Sequence, residues 1–82
     1  KRAAIEYAED GIRVNCVKPG YITTPMTKET VEERGEQILA KVPMRRMGVP
    51  SEIAEAVAWM CSDKASFMTG ASHVIDGGYY AA

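Results

Sequence analysis

Apolar and polar positions divide the chain into segments that predict helix, strand, helix, helix and strand. Residues 1–10 have helical composition, and Gly11 stands where a glycine commonly ends a helix. Residues 12–17 are apolar apart from Arg13 and Asn15. Such a run predicts a strand of a parallel sheet that is covered on both faces. The apolar stripe of the first helix comprises Ala4, Ile5 and Ala8.

The middle of the chain predicts a polar loop followed by a helix. Because proline cannot donate a ladder hydrogen bond, we expect the strand to end at Pro19. Thr30 and Glu33 match a capping box and predict a helix that runs to about residue 41. Gly35 weakens this helix by about 1 kcal/mol relative to alanine, which makes it a candidate mobile segment. Its predicted apolar face comprises Val31, Ile38, Leu39 and Val42.

The last third predicts a second amphipathic helix and a closing strand. Residues 42–50 form a connector with two prolines, and a helix follows from Ser51 to about residue 62. Residues 72–76 read as a strand that Gly77 and Gly78 end. Strands that alternate with helices indicate an α/β fold with parallel strands. The apolar stripe of the helix, expected in the core or a subunit contact, comprises Ile53, Ala54, Val57, Ala58, Trp59, Met60 and Cys61.

Composition narrows the function classes. The 82 residues carry a formal net charge of −1 without a block of one sign, which argues against binding to nucleic acid or an anionic membrane. No apolar run approaches the ~18 residues that a membrane span needs. Cys16 and Cys61 are predicted to be reduced core residues, with a disulfide in a secreted protein as the alternative. We therefore expect a cytoplasmic protein. Because the chain begins within a helical pattern, we expect the C-terminal part of a longer chain.

Candidate chemistry lies after the first strand. Residues 19–24 leave its carboxyl end, where open α/β sheets bind their ligands, although an ordinary turn would give the same pattern. His73 is expected to be structural or exposed. Arg45 and Arg46 indicate either a solvated connector that one arginine fixes in place or a phosphate-binding site. No other metal-ligating residue lies at a suitable spacing from Asp76. Neither a P-loop nor a Gly-x-Gly-x-x-Gly motif is present.

Five motifs occur in series. They are Gly11-Ile12-Arg13-Val14-Asn15, Pro19-Gly20-Tyr21-Ile22-x-Thr24-Pro25-Met26, Pro43-Met44-x-Arg46-Met47-Gly48-x-Pro50-Ser51-Glu52-Ile53-Ala54, Ser62-Asp63-x-Ala65-Ser66-Phe67-x-Thr69-Gly70 and Val74-Ile75-Asp76-Gly77-Gly78. Together they resemble the C-terminal portion of the short-chain dehydrogenase/reductase family. The resemblance implies that residues 1–82 are the C-terminal segment of one Rossmann-type domain, with the last two strands of a doubly wound parallel sheet and their flanking helices.

The resemblance also implies an activity and a site. The complete protein would transfer hydride between NAD or NADP and an alcohol or carbonyl substrate. The backbone of Ile22 would bind the nicotinamide carboxamide, and the Thr24 hydroxyl would reach the same region. Residues 26–42 would form a variable substrate lid, and the last helix and strand would contribute to a homotetramer or dimer. The implied cofactor-binding residues are Pro19, Gly20, Tyr21, Ile22 and Thr24, and the implied lid residues are Met26, Val31 and Ile38.

The departures from the family pattern concern catalysis. The Gly-rich phosphate turn, the Asn-Ala-Gly motif, the catalytic serine and the Tyr-x-x-x-Lys pair of the family do not occur in these residues. We therefore expect the catalytic residues upstream of Lys1 and no dehydrogenase activity from the 82 residues alone. The alternative is a non-catalytic structural or interaction module of the same fold, which a missing Tyr-x-x-x-Lys pair upstream would favour.

Overall fold

A computed structural model describes residues 1–81 and contains, within that range, three α-helices and one parallel two-stranded sheet. The predicted order of helix, strand, helix, helix and strand is confirmed. Short 3₁₀ turns occupy Ala8–Asp10, Asp63–Ala65 and Tyr79–Ala81. The main elements are α1 (Arg2–Tyr7), β1 (Cys16–Pro19), α2 (Lys28–Lys41), α3 (Pro50–Met60) and β2 (Ser72–Ile75).

The two strands are paired in parallel, as the sequence predicted. Cys16 lies opposite Ser72, and Pro19 lies opposite Ile75. The Gly20 N–H donates to the Ile75 carbonyl at 3.0 Å and continues the pairing by one residue. The strand can include Pro19 because this ladder bond is made by the following residue, which has an N–H.

The prediction that β1 begins at residue 12 is wrong, because polar side chains replace the backbone ladder there. The Val14 N–H donates to Thr69 Oγ1 at 3.1 Å. Asn15 Nδ2 donates to the Met68 carbonyl at 2.9 Å. The facing segment also turns at Gly70, whose φ is +77°. The backbones therefore reach strand pairing only at Cys16.

The predicted cover on both faces of the sheet is also wrong for this chain. Cys16, Lys18, Ser72 and Val74 share one face, and all four are exposed. The opposite face carries Val17, His73 and Ile75, which are half-buried. No side chain of either strand is fully buried. Cys16 and Cys61 are free, as predicted, but both are exposed rather than in the core.

The helices bury less apolar surface than their patterns predicted. In α1 only Ala4 is buried, whereas Ile5 is 79% exposed and Ala8 lies in the following 3₁₀ turn. In α3 Met60 is buried, and Trp59 is 47% exposed. Gly11 ends the first helical segment with a φ of +75°, as predicted. Within residues 1–81 the buried apolar side chains are Ala4, Ile38, Val42, Met60 and Ala65.

Candidate functional site

Gly20 allows the chain to cross the end of β2 as it leaves β1. A Cβ built on Gly20 would lie 2.6 Å from the Asp76 Cβ and 2.8 Å from its Cα. The group that Gly20 approaches is the backbone of Asp76. Its missing side chain therefore brings the two strand ends together.

Asp76 organises the turn that follows β2. Its Oδ1 accepts the Gly78 N–H at 2.9 Å, and its Oδ2 accepts the Tyr80 N–H at 2.9 Å. The ring of Tyr79 meets the ring of Tyr21 edge-on, with centroids 5.4 Å apart. The Asp76 carboxylate thus holds a turn, and that turn supports the loop after β1.

The Ile22 peptide lies at the centre of the candidate loop and is aligned by Gly48. Gly48 donates to the Tyr21 carbonyl at 2.9 Å and accepts the Thr23 N–H at 2.9 Å. These two bonds make Ile22 and Gly48 an isolated parallel bridge. In this pairing the N–H and C=O of Ile22 itself point away from Gly48.

Thr27 bonds to the Ile22 carbonyl, which points away from Gly48. Its hydroxyl donates to the Ile22 carbonyl at 2.9 Å and accepts the Thr24 N–H at 2.8 Å. Thr24 Oγ1 in turn accepts the Thr27 N–H at 3.2 Å. Among residues 1–81 no hydrogen-bond partner is found for the Ile22 N–H. That N–H is therefore available to a ligand beyond the end of β1.

The sequence prediction missed Thr27 and placed the helix start too late. The predicted cap was Thr30, but α2 begins at Lys28 with Thr27 as N-cap. The side chains of Thr24 and Thr27 accept each other's backbone N–H groups, which fixes the chain up to residue 27. The helix therefore begins at Lys28, two residues before Thr30. The signal was present as two threonines three residues apart, the spacing at which such side chains bond to local backbone groups.

Arg46 and Glu52 fasten the connector to the first turn of α3. Arg46 Nη1 and Nη2 donate to the two carboxylate oxygens of Glu52 at 2.9 and 2.8 Å. Glu52 Oε1 also accepts the Val49 N–H at 3.0 Å. The Arg46 hydrogen bonds, followed by the Val49 N–H, lower the pKa of Glu52 to about 2. The prediction that one arginine ties down the connector is confirmed.

Arg45 also serves the connector rather than a ligand. Its φ is +58°, and its Nη1 donates to the carbonyls of Leu39 and Ala40 at 3.4 and 3.1 Å. These carbonyls belong to the last turn of α2, where a helix leaves carbonyl groups unpaired. Both arginines therefore have partners within the chain, and the geometry does not support the alternative of a phosphate-binding site.

A cavity of about 200 Å³ lies between the loop, the connector and the end of β2. Tyr21, Ile22, Arg46 and Ile75 are among its lining residues. Ligand pockets usually measure about 300–1,000 Å³, so this cavity is too small for a dinucleotide. A large ligand would have to extend beyond this cavity.

The three predicted lid residues differ widely in exposure. Met26 is 94% exposed in the turn before α2, and Val31 is half-buried on the helix. Ile38 is only 9% exposed, so it packs within the chain. Met26 is thus the lid residue whose side chain is free to meet a ligand.

The remaining polar candidates are structural. His73 Nε2 lies 3.2 Å from Asn15 Oδ1, and Arg13 donates to the carbonyls of Met68 and Ser62. Across residues 1–81 no group of three histidine, cysteine or acidic side chains is placed to bind a metal ion. None of the helices in that range is both long and apolar enough to span a bilayer.

Comparison with known proteins finds close relatives among dehydrogenases. The family model described as enoyl-(acyl carrier protein) reductase matches residues 1–80. Cyclohexanol dehydrogenase of Acinetobacter sp. (strain SE19) is 48% identical over 79 residues, which cover 96% of this chain and 30% of that protein. The chain thus spans about a third of the length of the curated relatives it matches.

Solved structures agree with this result. A dehydrogenase structure from Agrobacterium tumefaciens with bound NADP superposes with a TM-score of 0.92 at 37% identity, and covers 100% of this chain and 34% of its own. 4-Hydroxyisoleucine dehydrogenase complexed with NADH gives a TM-score of 0.93 at 34% identity, with 99% and 34% covered. The predicted α/β fold class is therefore confirmed.

Proposed function

The chain belongs to the short-chain dehydrogenase/reductase family, and on that premise we propose that it is the C-terminal segment of an NAD(P)-dependent oxidoreductase. It would supply the last two strands of the doubly wound sheet and their flanking helices. The relatives are oxidoreductases about three times as long as this chain. This supports both the oxidoreductase activity and the assignment of the chain as a segment of a longer protein. The remaining two thirds of the domain, including the catalytic residues, would precede Lys1.

The unpaired N–H of Ile22 is the observation that carries the proposal. It stands at the carboxyl end of β1, where α/β folds bind their ligands. Gly48 bonds to the peptide groups on both sides of Ile22, and Thr27 bonds to the Ile22 carbonyl, so the N–H is held in a fixed direction before any ligand arrives. An amide oxygen, such as that of a nicotinamide carboxamide, fits a donor of this kind. The residues present therefore fit the cofactor.

Each loop residue has a distinct part in the proposed site. Ile22 donates its N–H, and the Thr24 hydroxyl, which lies 3.2 Å from Thr27 Oγ1, would turn its hydrogen to the cofactor while its oxygen accepts from the Thr27 N–H. Pro19 and Gly20 bring the chain across the end of β2, and Tyr21 rests against Tyr79. The bound nicotinamide supplies the carbon that gives or takes the hydride. This chain's contribution is to orient that ring toward the substrate.

Other parts of the proposal concern substrate, assembly and location. We propose a small alcohol or carbonyl substrate that Met26 and Val31 help to enclose, on a lid whose helix contains Gly35. The exposed apolar side chains of α3, including Trp59, support a homotetramer or dimer. Two free cysteines in the described part of the chain support a cytoplasmic protein.

A cofactor titration of the complete protein tests this function. NADH and NADPH are titrated separately by fluorescence, and one of them is expected to bind at micromolar concentration. Thr24→Val should weaken that binding about two- to tenfold, since a hydrogen bond contributes about 0.5–1.5 kcal/mol. Thr24→Ser, which keeps the hydroxyl, should restore it.

Thr23→Val is the matched control, because the exposed Thr23 side chain makes no hydrogen bond among the described residues. Its affinity for the cofactor should equal that of the wild type. Equal affinities for Thr24→Val and Thr23→Val would count against the site. Binding of neither nucleotide by the complete protein would favour the non-catalytic module.

A further inference from the structure

Glu52 gathers three hydrogen bonds that join the connector to α3. Two come from the guanidinium of Arg46 at 2.9 and 2.8 Å, and the third comes from the Val49 N–H at 3.0 Å. The donors flank Gly48 on both sides along the chain. One carboxylate on the first turn of α3 thus fixes the segment that contains Gly48.

Gly48 transmits this fixed position to the cofactor loop. Its N–H and carbonyl bond to Tyr21 and Thr23 at 2.9 Å each. The contact is also close, because a Cβ on Gly48 would lie 2.7 Å from the Ile22 Cδ1. A displacement of Gly48 would therefore displace the Ile22 peptide as well.

We propose that Glu52 is a positioning residue for the nicotinamide-binding loop. It acts through Arg46, Val49 and Gly48 to hold the Ile22 N–H in the direction that the ligand requires. The inference rests on the proposed function and adds a residue that does not itself touch the ligand. Without the carboxylate, the bridge at Ile22 would have to hold a mobile connector in place by two hydrogen bonds alone. Ligand binding would then include the cost of ordering that connector.

The exposure of the ion pair favours a role in positioning over one in global stability. The Arg46 and Glu52 side chains are 51% and 38% exposed, and exposed ion pairs contribute little to folding stability. Loss of Glu52 should therefore leave the protein folded. It should weaken only the binding of the part of the ligand that contacts the loop.

The test compares two ligands on variants of the complete protein. NADH or NADPH, whichever the wild type binds, is set against ADP-ribose or its 2′-phosphate, which lacks the nicotinamide. Glu52→Ala should weaken dinucleotide binding about two- to tenfold, as expected for the loss of a contact worth about one hydrogen bond, and leave binding of the ADP-ribose compound unchanged. Arg46→Ala keeps the Val49 bond and should show a smaller loss in the same direction.

Glu55→Ala is the matched control, because it removes an exposed acidic side chain from the same helix. It should leave both affinities and the melting temperature unchanged. Equal weakening of both ligands by Glu52→Ala, or no weakening of either, would overturn the positioning role. If Glu52→Ala does not fold, the same comparison with Arg46→Ala decides. Binding of neither NADH nor NADPH by the wild type would instead refute the proposed function itself.

Discussion

At the residue scale, glycines decide how closely the loop and the strand ends approach. Gly20 passes the backbone of Asp76, and Gly48 passes the side chain of Ile22. Gly35, by contrast, has only Val31 Cγ1 near the place of a Cβ, at 3.9 Å. The chain therefore needs glycine at the first two positions for space, and at Gly35 it does not.

Gly20→Ala should destabilise the complete protein. The added Cβ would meet the Cβ and Cα of Asp76, and the loop would have to move away from the end of β2. Overpacking of this kind lowers the free energy of unfolding by about 1–3 kcal/mol, which urea denaturation would measure. Gly35→Ala is the control and should raise that free energy by up to about 1 kcal/mol. Similar effects from both substitutions would argue against the close approach.

At the element scale, the joint between the connector and α3 depends on pH. Hydrogen bonds from Arg46 and Val49 lower the pKa of Glu52 from its ordinary value of 4.5 to about 2. A lowered pKa means that the folded protein binds fewer protons than the unfolded chain does. The stabilisation by this pair is thus complete above about pH 4.5 and is lost as the pH falls toward 2.

Glu52→Gln should remove this dependence. Because the ion pair is exposed, the difference in unfolding free energy between wild type and Glu52→Gln should be small. It should be constant above pH 5 and shrink between about pH 4.5 and 2. Denaturation curves of both proteins at stepped pH would measure it. A constant difference for Glu52→Gln across the whole range would contradict the lowered pKa.

Periodicity predicted the elements well, and their ends less well. The order, the parallel pairing and the helix end at Gly11 follow from local patterns and are confirmed. The predicted start of β1 was wrong because the Asn15 side chain bonds to Met68 and the Thr69 side chain bonds to Val14. These partners lie 53 and 55 residues apart, so no local pattern reveals them. The start of α2 was wrong because two threonines bond to each other's backbone before the predicted cap.

The place of the candidate site stays a prediction, and the contacts that hold its loop were predicted only in part. The end of β1 and the loop after it could be identified from a strand that stops at Pro19-Gly20. The supports of that loop come from Thr27, Gly48 and Glu52. Two of these lie more than 20 residues away, and long-range pairing of backbone with backbone leaves no periodic signal. The sequence thus indicated where a ligand would bind but not what holds the loop.

At the scale of the whole molecule, the described residues leave much apolar surface exposed. One face of the sheet is open, and Phe67, Ile5 and Trp59 are strongly exposed. The superposed dehydrogenases are about three times as long. We propose that their additional strands and helices correspond to an upstream part of this protein that covers the open face. The loop after β1 would then lie at the edge of the completed sheet.

The most direct test of the central claim is a crystal structure of the complete protein with its bound nicotinamide cofactor. The account predicts a hydrogen bond from the Ile22 N–H to the carboxamide oxygen, with Thr24 Oγ1 beside the same group and the bridge to Gly48 intact. A nicotinamide ring bound away from residues 21–24, with the Ile22 N–H still unpaired, would contradict it.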